Sequence, residues 1–192
     1  MFRQFIAIVV LALISYTNGQ YTSPGQCSDR TNLRAVQNFS LERYANNNAS
    51  WYMVQSNINS DCQILNFALT SNVTVDMVYI QKNSTSGLWF SRRGVKTWVP
   101  GNKREGVLSL VYPNVADPFV FKILGIDYLN YSIDYRCINV DGSNKREFLY
   151  VMSRRSTSSP ALNATIQRIV RANGLGEIQL MHVVQDPVSC SR

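Results

Sequence analysis

Histidine and cysteine are scarce in this chain, and that scarcity removes most enzymatic chemistry. Its 192 residues hold one histidine, His182, and no Gly-x-Ser-x-Gly turn that would expose a nucleophilic serine. A Ser-His-Asp site would have to use His182, which lies in the last short apolar run with Asp186 four residues on. Zinc needs three or four His, Cys or carboxylate ligands, and no second histidine is there to begin such a set. Four cysteines are too few for a miniprotein held together by disulfides. Their even number suits two bridges, for which three pairings exist.

Long apolar runs are also missing. Phe5 to Ile14 is an unbroken apolar stretch of ten residues, and no later segment reaches the roughly 18 that a membrane helix needs. With Arg3 ahead of it and Ser15, Thr17 and Gly19 behind, this stretch reads as the core of an export signal, 1–19, cleaved after Gly19. The remainder, 20–192, is one domain by length. The C-terminal Ser189-Cys190-Ser191-Arg192 is no tail for a lipid anchor. Charge is sparse at 16% and weighted to one sign, 19 basic against 12 acidic residues, giving +7, or +6 once Arg3 is removed. The basic pairs Arg92-Arg93, Lys103-Arg104, Lys145-Arg146 and Arg154-Arg155 fall in different segments, without exposed aromatics between them. They make a solvated surface and no nucleic-acid stripe.

What the chain does have is 45% hydrophobic residues, enough for a sizeable core. It also has six Asn-x-Ser/Thr sequons, at Asn38, Asn48, Asn72, Asn83, Asn130 and Asn163, which agree with export. Short apolar-polar runs separated by turn residues predict eight strands at 51–57, 62–70, 73–81, 88–98, 107–112, 119–126, 131–138 and 148–154. In the seventh, Tyr131, Ile133, Tyr135 and Cys137 alternate with Ser132, Asp134 and Arg136, so one face is expected to be buried and the other wet. One helix interrupts the series. Ser159 is its N-cap, Pro160 its first residue and Asn173-Gly174 its stop, with Leu162, Ile166, Ile169 and Val170 on a single stripe. A short ninth strand follows at 178–184.

Three stretches resemble the lipocalin family, in particular its apolipoprotein D and insect pigment-carrier branch. Asn38-Phe39-Ser40-Leu41-Glu42-Arg43-Tyr44 with Trp51-Tyr52 resembles the family's opening motif. Ile126-Asp127-Tyr128 with the strand to Cys137 resembles its Thr-Asp-Tyr turn, and Tyr150-Val151-Met152-Ser153-Arg154 resembles its closing motif ahead of the helix. The chain departs from the family at the first motif, where Tyr44 and Trp51 stand three residues further apart and Ala49 takes the place of glycine, and at Ile126, which replaces threonine. The resemblance implies an all-β fold, an eight-stranded antiparallel up-and-down barrel with one C-terminal α-helix packed outside and a short ninth strand. It also implies the bridges Cys27–Cys137 and Cys62–Cys190, and a Trp51–Arg154 cation–π stack at the barrel floor.

A barrel of eight strands encloses room for one small ligand. Inward parity selects Met53, Phe119, Phe121, Ile123, Tyr131, Ile133, Tyr135, Phe148, Tyr150 and Met152 as the cavity wall. The function implied is that of a secreted glycoprotein carrying a fatty acid, retinoid, sterol or bilin-type pigment, with no cofactor, no metal and no catalytic residue. His182 could hold haem, but the ninth strand packs outside such a barrel. Two rival classes are an extracellular interaction module acting through its loops, for instance on a cell-surface receptor, and a lipocalin-derived enzyme. The enzyme would require a free thiol, and the module would carry no apolar ligand. The sequence leaves the oligomeric state open.

Overall fold

The computed structural model describes residues 22–45, 49–83 and 85–191. The expected export signal 1–19 and the sequon at Asn48 lie outside the described residues. Eight antiparallel strands run in sequence order: β2 (Trp51–Ser56), β3 (Asp61–Leu69), β4 (Thr74–Lys82), β5 (Trp89–Trp98), β6 (Val107–Val111), β7 (Phe119–Asp127), β8 (Tyr131–Asn139) and β9 (Asn144–Ser153). Pairing of β9 with β2 closes them into a barrel. Two short strands extend the ladder at the closure: β1 (Thr22–Pro24) on β9 and β10 (Met181–His182) on β2. The chain before β2 also forms a helical turn at Cys27–Asp29 and a short helix, α1 (Leu41–Ala45); α2 (Pro160–Ala172) follows β9.

The ninth strand expected over 178–184 is thus confined to Met181–His182. Ile178 is drawn into the core beneath α2, and Val183 to Gln185 turn into the seam where β2 and β3 part. Only Trp51–Leu65 and Tyr52–Ile64 pair between those two strands. Beyond them the Gln185 amide donates to both Met53 O, at 2.9 Å, and Gln63 O, at 2.7 Å, filling the rungs the ladder lacks. The Cys62–Cys190 disulfide holds this segment in place.

Helix α2 forms as its end signals require. Ser159 Oγ accepts from Leu162 N, Pro160 opens the helix, and Gly174 leaves it at φ +68°. Its apolar stripe, led by Ile166 and Val170, lies on the outer surface of β7, β8 and β9 against Leu124, Ile133, Leu149 and Val151. Strand β7 carries a bulge between Ile123 and Gly125. A Cβ at Gly125 would lie 2.6 Å from Ile169 Cδ1, so a larger residue there would have to displace the tip of that side chain.

The N-terminal segment is bound to the same outer surface. Cys27 is bridged to Cys137, and Arg30 grips the fully buried Glu147 with two hydrogen bonds of 2.7 Å. Glu147 also accepts from Tyr135 Oη at 2.6 Å and lies 3.7 Å from Lys145 Nζ. Burial would raise its pKa, but hydrogen bonds from Arg30 and Tyr135, with the charges of Arg30 and Lys145, outweigh that and lower it.

One end of the barrel is solid. Phe39, Tyr44, Trp51, Trp98 and Leu108 are buried together there. The Arg154 guanidinium lies 3.6 Å from the Trp51 ring centroid and donates to Tyr44 O, Ala49 O and Tyr128 O at 2.8–3.2 Å. Burial lowers its pKa without removing its charge.

Two stability effects follow. Arg154→Ala is expected to cost about 1–3 kcal/mol in urea melts, and the exposed Arg155→Ala under about 0.5; equal small losses would place the seal elsewhere. Glu147→Gln is expected to cost about 3–5 kcal/mol at pH 7, where the carboxylate is ionised in folded and unfolded chains alike. A lowered folded-state pKa means that this contribution disappears as pH falls through it, so the penalty should shrink between pH 7 and pH 3. A penalty independent of pH would show that charge is not what Glu147 supplies.

Candidate functional site

Above the solid end the barrel is hollow, with a cavity of about 350 Å³ opening at the end opposite Trp51 and Arg154. Alternation along each strand sends every second side chain inward, and neighbouring strands stack these into layers. On β5, Phe90, Arg92, Gly94, Lys96 and Trp98 run from mouth to floor on the inner face. The middle layer is apolar: Met53, Leu65, Met77, Leu110, Phe121 and Met152. Gly94 belongs to it through absence of a side chain, since a Cβ there would meet Leu110 and Tyr112 at 2.9–3.0 Å.

The floor holds a charge pair. Lys96 and Asp134 are each 2% exposed, with Lys96 Nζ 4.0 Å from Asp134 Oδ2. Tyr44 joins them, accepting from Lys96 Nζ at 3.1 Å and donating to Asp134 at 3.2 Å, while Ser132 Oγ donates to the other carboxylate oxygen at 2.5 Å. Three rings surround the ammonium, with Phe67 and Phe121 centroids at 5.1 Å and Tyr44 at 5.4 Å. Burial lowers the Lys96 pKa, opposed by the charge of Asp134, and raises that of Asp134, opposed by Lys96 and the hydroxyls of Ser132 and Tyr44. Asp134 thus has a partner on each oxygen.

Around the mouth stand Tyr79, Gln81, Phe90, Arg92, Tyr112, Phe119, Arg136 and Tyr150. Arg136 is stacked 3.8 Å above the Phe119 centroid and 5.2 Å from that of Phe148. Arg92 lies 5.9 Å from the Tyr112 centroid. Burial raises the pKa of Tyr79, Tyr112 and Tyr150, so these phenols remain hydrogen-bond donors. Gln63 also lines the cavity, and its buried Oε1 has no hydrogen-bond partner among the described residues. That oxygen can accept from an N–H or O–H placed beside it.

No protein-family model matches the chain, and no curated protein matches it in sequence. Solved structures do match its shape. Lobster apocrustacyanin A1 superposes with a TM-score of 0.68 at 21% identity, over 86% of this chain and 92% of the other. Insecticyanin from the tobacco hornworm Manduca sexta gives 0.73 at 16% identity, over 90% and 93%. The amine binding protein of Rhodnius prolixus, in its tryptamine complex, gives 0.60 at 13% identity, over 82% and 91%. The fold is that of the lipocalins.

Within this lipocalin barrel, the residues expected to face inward separate into two groups. Met53, Phe119, Phe121, Tyr150 and Met152 line the cavity. Phe148 shares their face and stacks on Tyr150 at 6.3 Å, although it is not part of the cavity lining. Ile123 points inward but belongs to the solid end. Tyr131, Ile133 and Tyr135 face the other way: they lie beneath α2 and the N-terminal segment, and the inner face of β8 carries Ser132, Asp134 and Arg136. The apolar side of that strand is buried outside the barrel, which inverts the expected parity.

Lys96, Arg92, Tyr79, Met77, Leu110 and Gln63 escaped sequence reading because β5 shows no apolar alternation and β4 is apolar on both faces. The pairing register supplies the missing signal: Tyr79 opposite both Leu65 and Arg92 propagates one known parity around the barrel. His182 is exposed on β10, and no group of three His, Cys, Asp or Glu side chains among the described residues could hold a metal.

The floor pair can be tested as a unit. Lys96→Met leaves Asp134 buried without its cation and should cost about 3–5 kcal/mol in urea melts. Adding Asp134→Asn, which retains acceptors and removes the charge, should recover most of that loss. Additive penalties in the double variant would show that the two charges do not interact.

Proposed function

We propose that this protein is an extracellular member of the lipocalin family, related to its apolipoprotein D and insect pigment-carrier branch, that carries one small hydrophobic molecule in the barrel. The observation carrying this reading is the hollow itself: a cavity open at one end, walled by Met53, Leu65, Met77, Leu110, Phe121 and Met152 above a sealed floor. Such a space gains much of its binding free energy from apolar burial and needs no reaction. At about 350 Å³ it lies at the small end of ligand pockets, which favours a single fatty acid or retinoid over a sterol or bilin.

Two disulfides with no free cysteine, together with the export signal read at 1–19, support secretion. No helix among the described residues is long and apolar enough to cross a membrane. Of the sequons, Asn38, Asn72, Asn83 and Asn130 are exposed and open to glycosylation, whereas Asn163 is half-buried, its side chain bonded to Gln55 and Ser158. The Rhodnius protein, with its tryptamine, supports a small-molecule role for this architecture.

Titrating the delipidated protein with a fluorescent retinoid or fatty acid should give saturable one-to-one binding at micromolar affinity or better, about −8 kcal/mol. Met77→Trp, which fills the middle layer, should abolish it, whereas Val95→Arg on the outer face of β5 should not. A folded wild type that binds no apolar ligand would remove the carrier reading and leave the protein-interaction role in its place.

A further inference from the structure

Several cations withdrawn from solvent are matched. Lys96 faces Asp134, Lys145 and Arg30 share Glu147, and Arg154 is taken up by backbone carbonyls. Arg136, half-buried, and Arg92, exposed at the rim, lack such a partner. Both occupy inward positions, on β5 and β8, both line the cavity, and neither comes within 4.0 Å of a carboxylate among the described residues. Their contacts are aromatic faces, which leave the planar edge of the guanidinium with its N–H donors free.

The cavity lining as a whole carries Arg92, Lys96 and Arg136 against the single carboxylate of Asp134. Asp134 cannot serve a cationic ligand as well, because Lys96, Tyr44 and Ser132 already occupy it. The excess positive charge is therefore concentrated at the mouth, beside the phenols of Tyr112 and Tyr150; that of Tyr79 is taken up by Gln81. Below lies the apolar layer, which has room for a chain but no charged group until the saturated floor. Cationic and donor-rich at the rim and apolar in the middle, the space matches an amphiphile with an anionic head and an apolar body.

We propose that the cavity selects an apolar carboxylic acid, with its carboxylate held at the mouth by Arg92 and Arg136 and its hydrocarbon lying in the Met53–Met77–Phe121–Met152 layer. This rests on the carrier reading and goes further by naming the ligand's chemical class. A neutral hydrophobe would leave the half-buried Arg136 guanidinium further desolvated with no anion to compensate. A protonated amine would meet like charge at the rim. A carboxylate instead gains charge-assisted, fork-shaped hydrogen bonds in a partly water-excluded site.

The test is calorimetric titration of the delipidated full chain at pH 7.4 with decanoic acid, 1-decanol and decylamine, ligands of one chain length and three head groups. The acid should bind about tenfold or more tightly than the alcohol, and the amine most weakly. Arg136→Met should remove the acid's advantage while changing alcohol affinity by no more than about twofold. Arg136→Lys, which keeps the charge and loses the fork, should fall between. Arg92→Met, on the exposed rim, provides the same comparison should Arg136→Met prove unstable in thermal melts. Equal binding of acid and alcohol by the wild type, or an acid advantage that survives both methionine substitutions, would overturn the assignment. If neither acid nor alcohol binds, the carrier reading itself falls and takes this one with it.

Discussion

Tyr44 is the point at which the solid and hollow halves of the barrel meet. Its hydroxyl bridges Lys96 and Asp134, and its carbonyl accepts from both the Trp51 indole and the Arg154 guanidinium. An ammonium and a carboxylate buried in the barrel are tolerable only if each lone pair and proton is satisfied, and Tyr44 supplies what the pair alone does not. The floor seal and the cavity base are thus one hydrogen-bonded unit. Whatever positions the short helix α1, and Tyr44 with it, also sets how deep the cavity reaches.

Strand β8 shows why sequence alternation reveals the existence of a buried face more readily than its direction. Ile133 and Tyr135, with the half-buried Tyr131, do form a row of the kind their spacing implies, yet the burial comes from α2 and from Leu33 of the N-terminal segment. On β9 both rows are apolar, Phe148-Tyr150-Met152 inside and Leu149-Val151 outside, because that strand is covered on both sides. On β7 the expected parity of Phe119, Phe121 and Ile123 agrees with the structure up to the bulge, where Leu124 and Gly125 both turn to the helix. The eight barrel strands and the helix with its Ser159 and Gly174 ends were legible in the chain, and the floor partners Trp51 and Arg154 through the family resemblance, whereas β1 was not expected. The polar half of the cavity was not, because Arg92, Asp134 and Arg136 read as solvent-facing until the ring is closed and shown to turn them inward.

The covalent links act where the hydrogen-bonded ladder is weakest. Cys62–Cys190 secures the segment that carries Gln185 into the gap between β2 and β3, and Cys27–Cys137 secures the segment that carries Arg30 to Glu147. Each closes a loop of more than 100 residues, for which chain entropy gives up to about 4.7 kcal/mol per bridge. Without them, two peripheral segments with few strand pairs of their own would have to be held by side-chain contacts alone. Both pairings came from family resemblance, since spacing alone left three arrangements open.

The polar rim decides how selective such a cavity can be. Burying about 300 Å² of a ligand's apolar surface yields about 7.5 kcal/mol gross. Lost translational and rotational freedom opposes this with a term of at least about 4 kcal/mol. Apolar contact alone therefore gives loose and indiscriminate binding, because hydrocarbon layers distinguish ligands mainly by size. Discrimination must come from groups that penalise the wrong head as well as reward the right one. Asp134, committed to Lys96, offers a cation nothing, and Arg92 and Arg136 repel it. The saturated ion pair at the floor thus has a second consequence beyond stability: it leaves the charge of the mouth uncancelled, and the ligand's head group has to answer it.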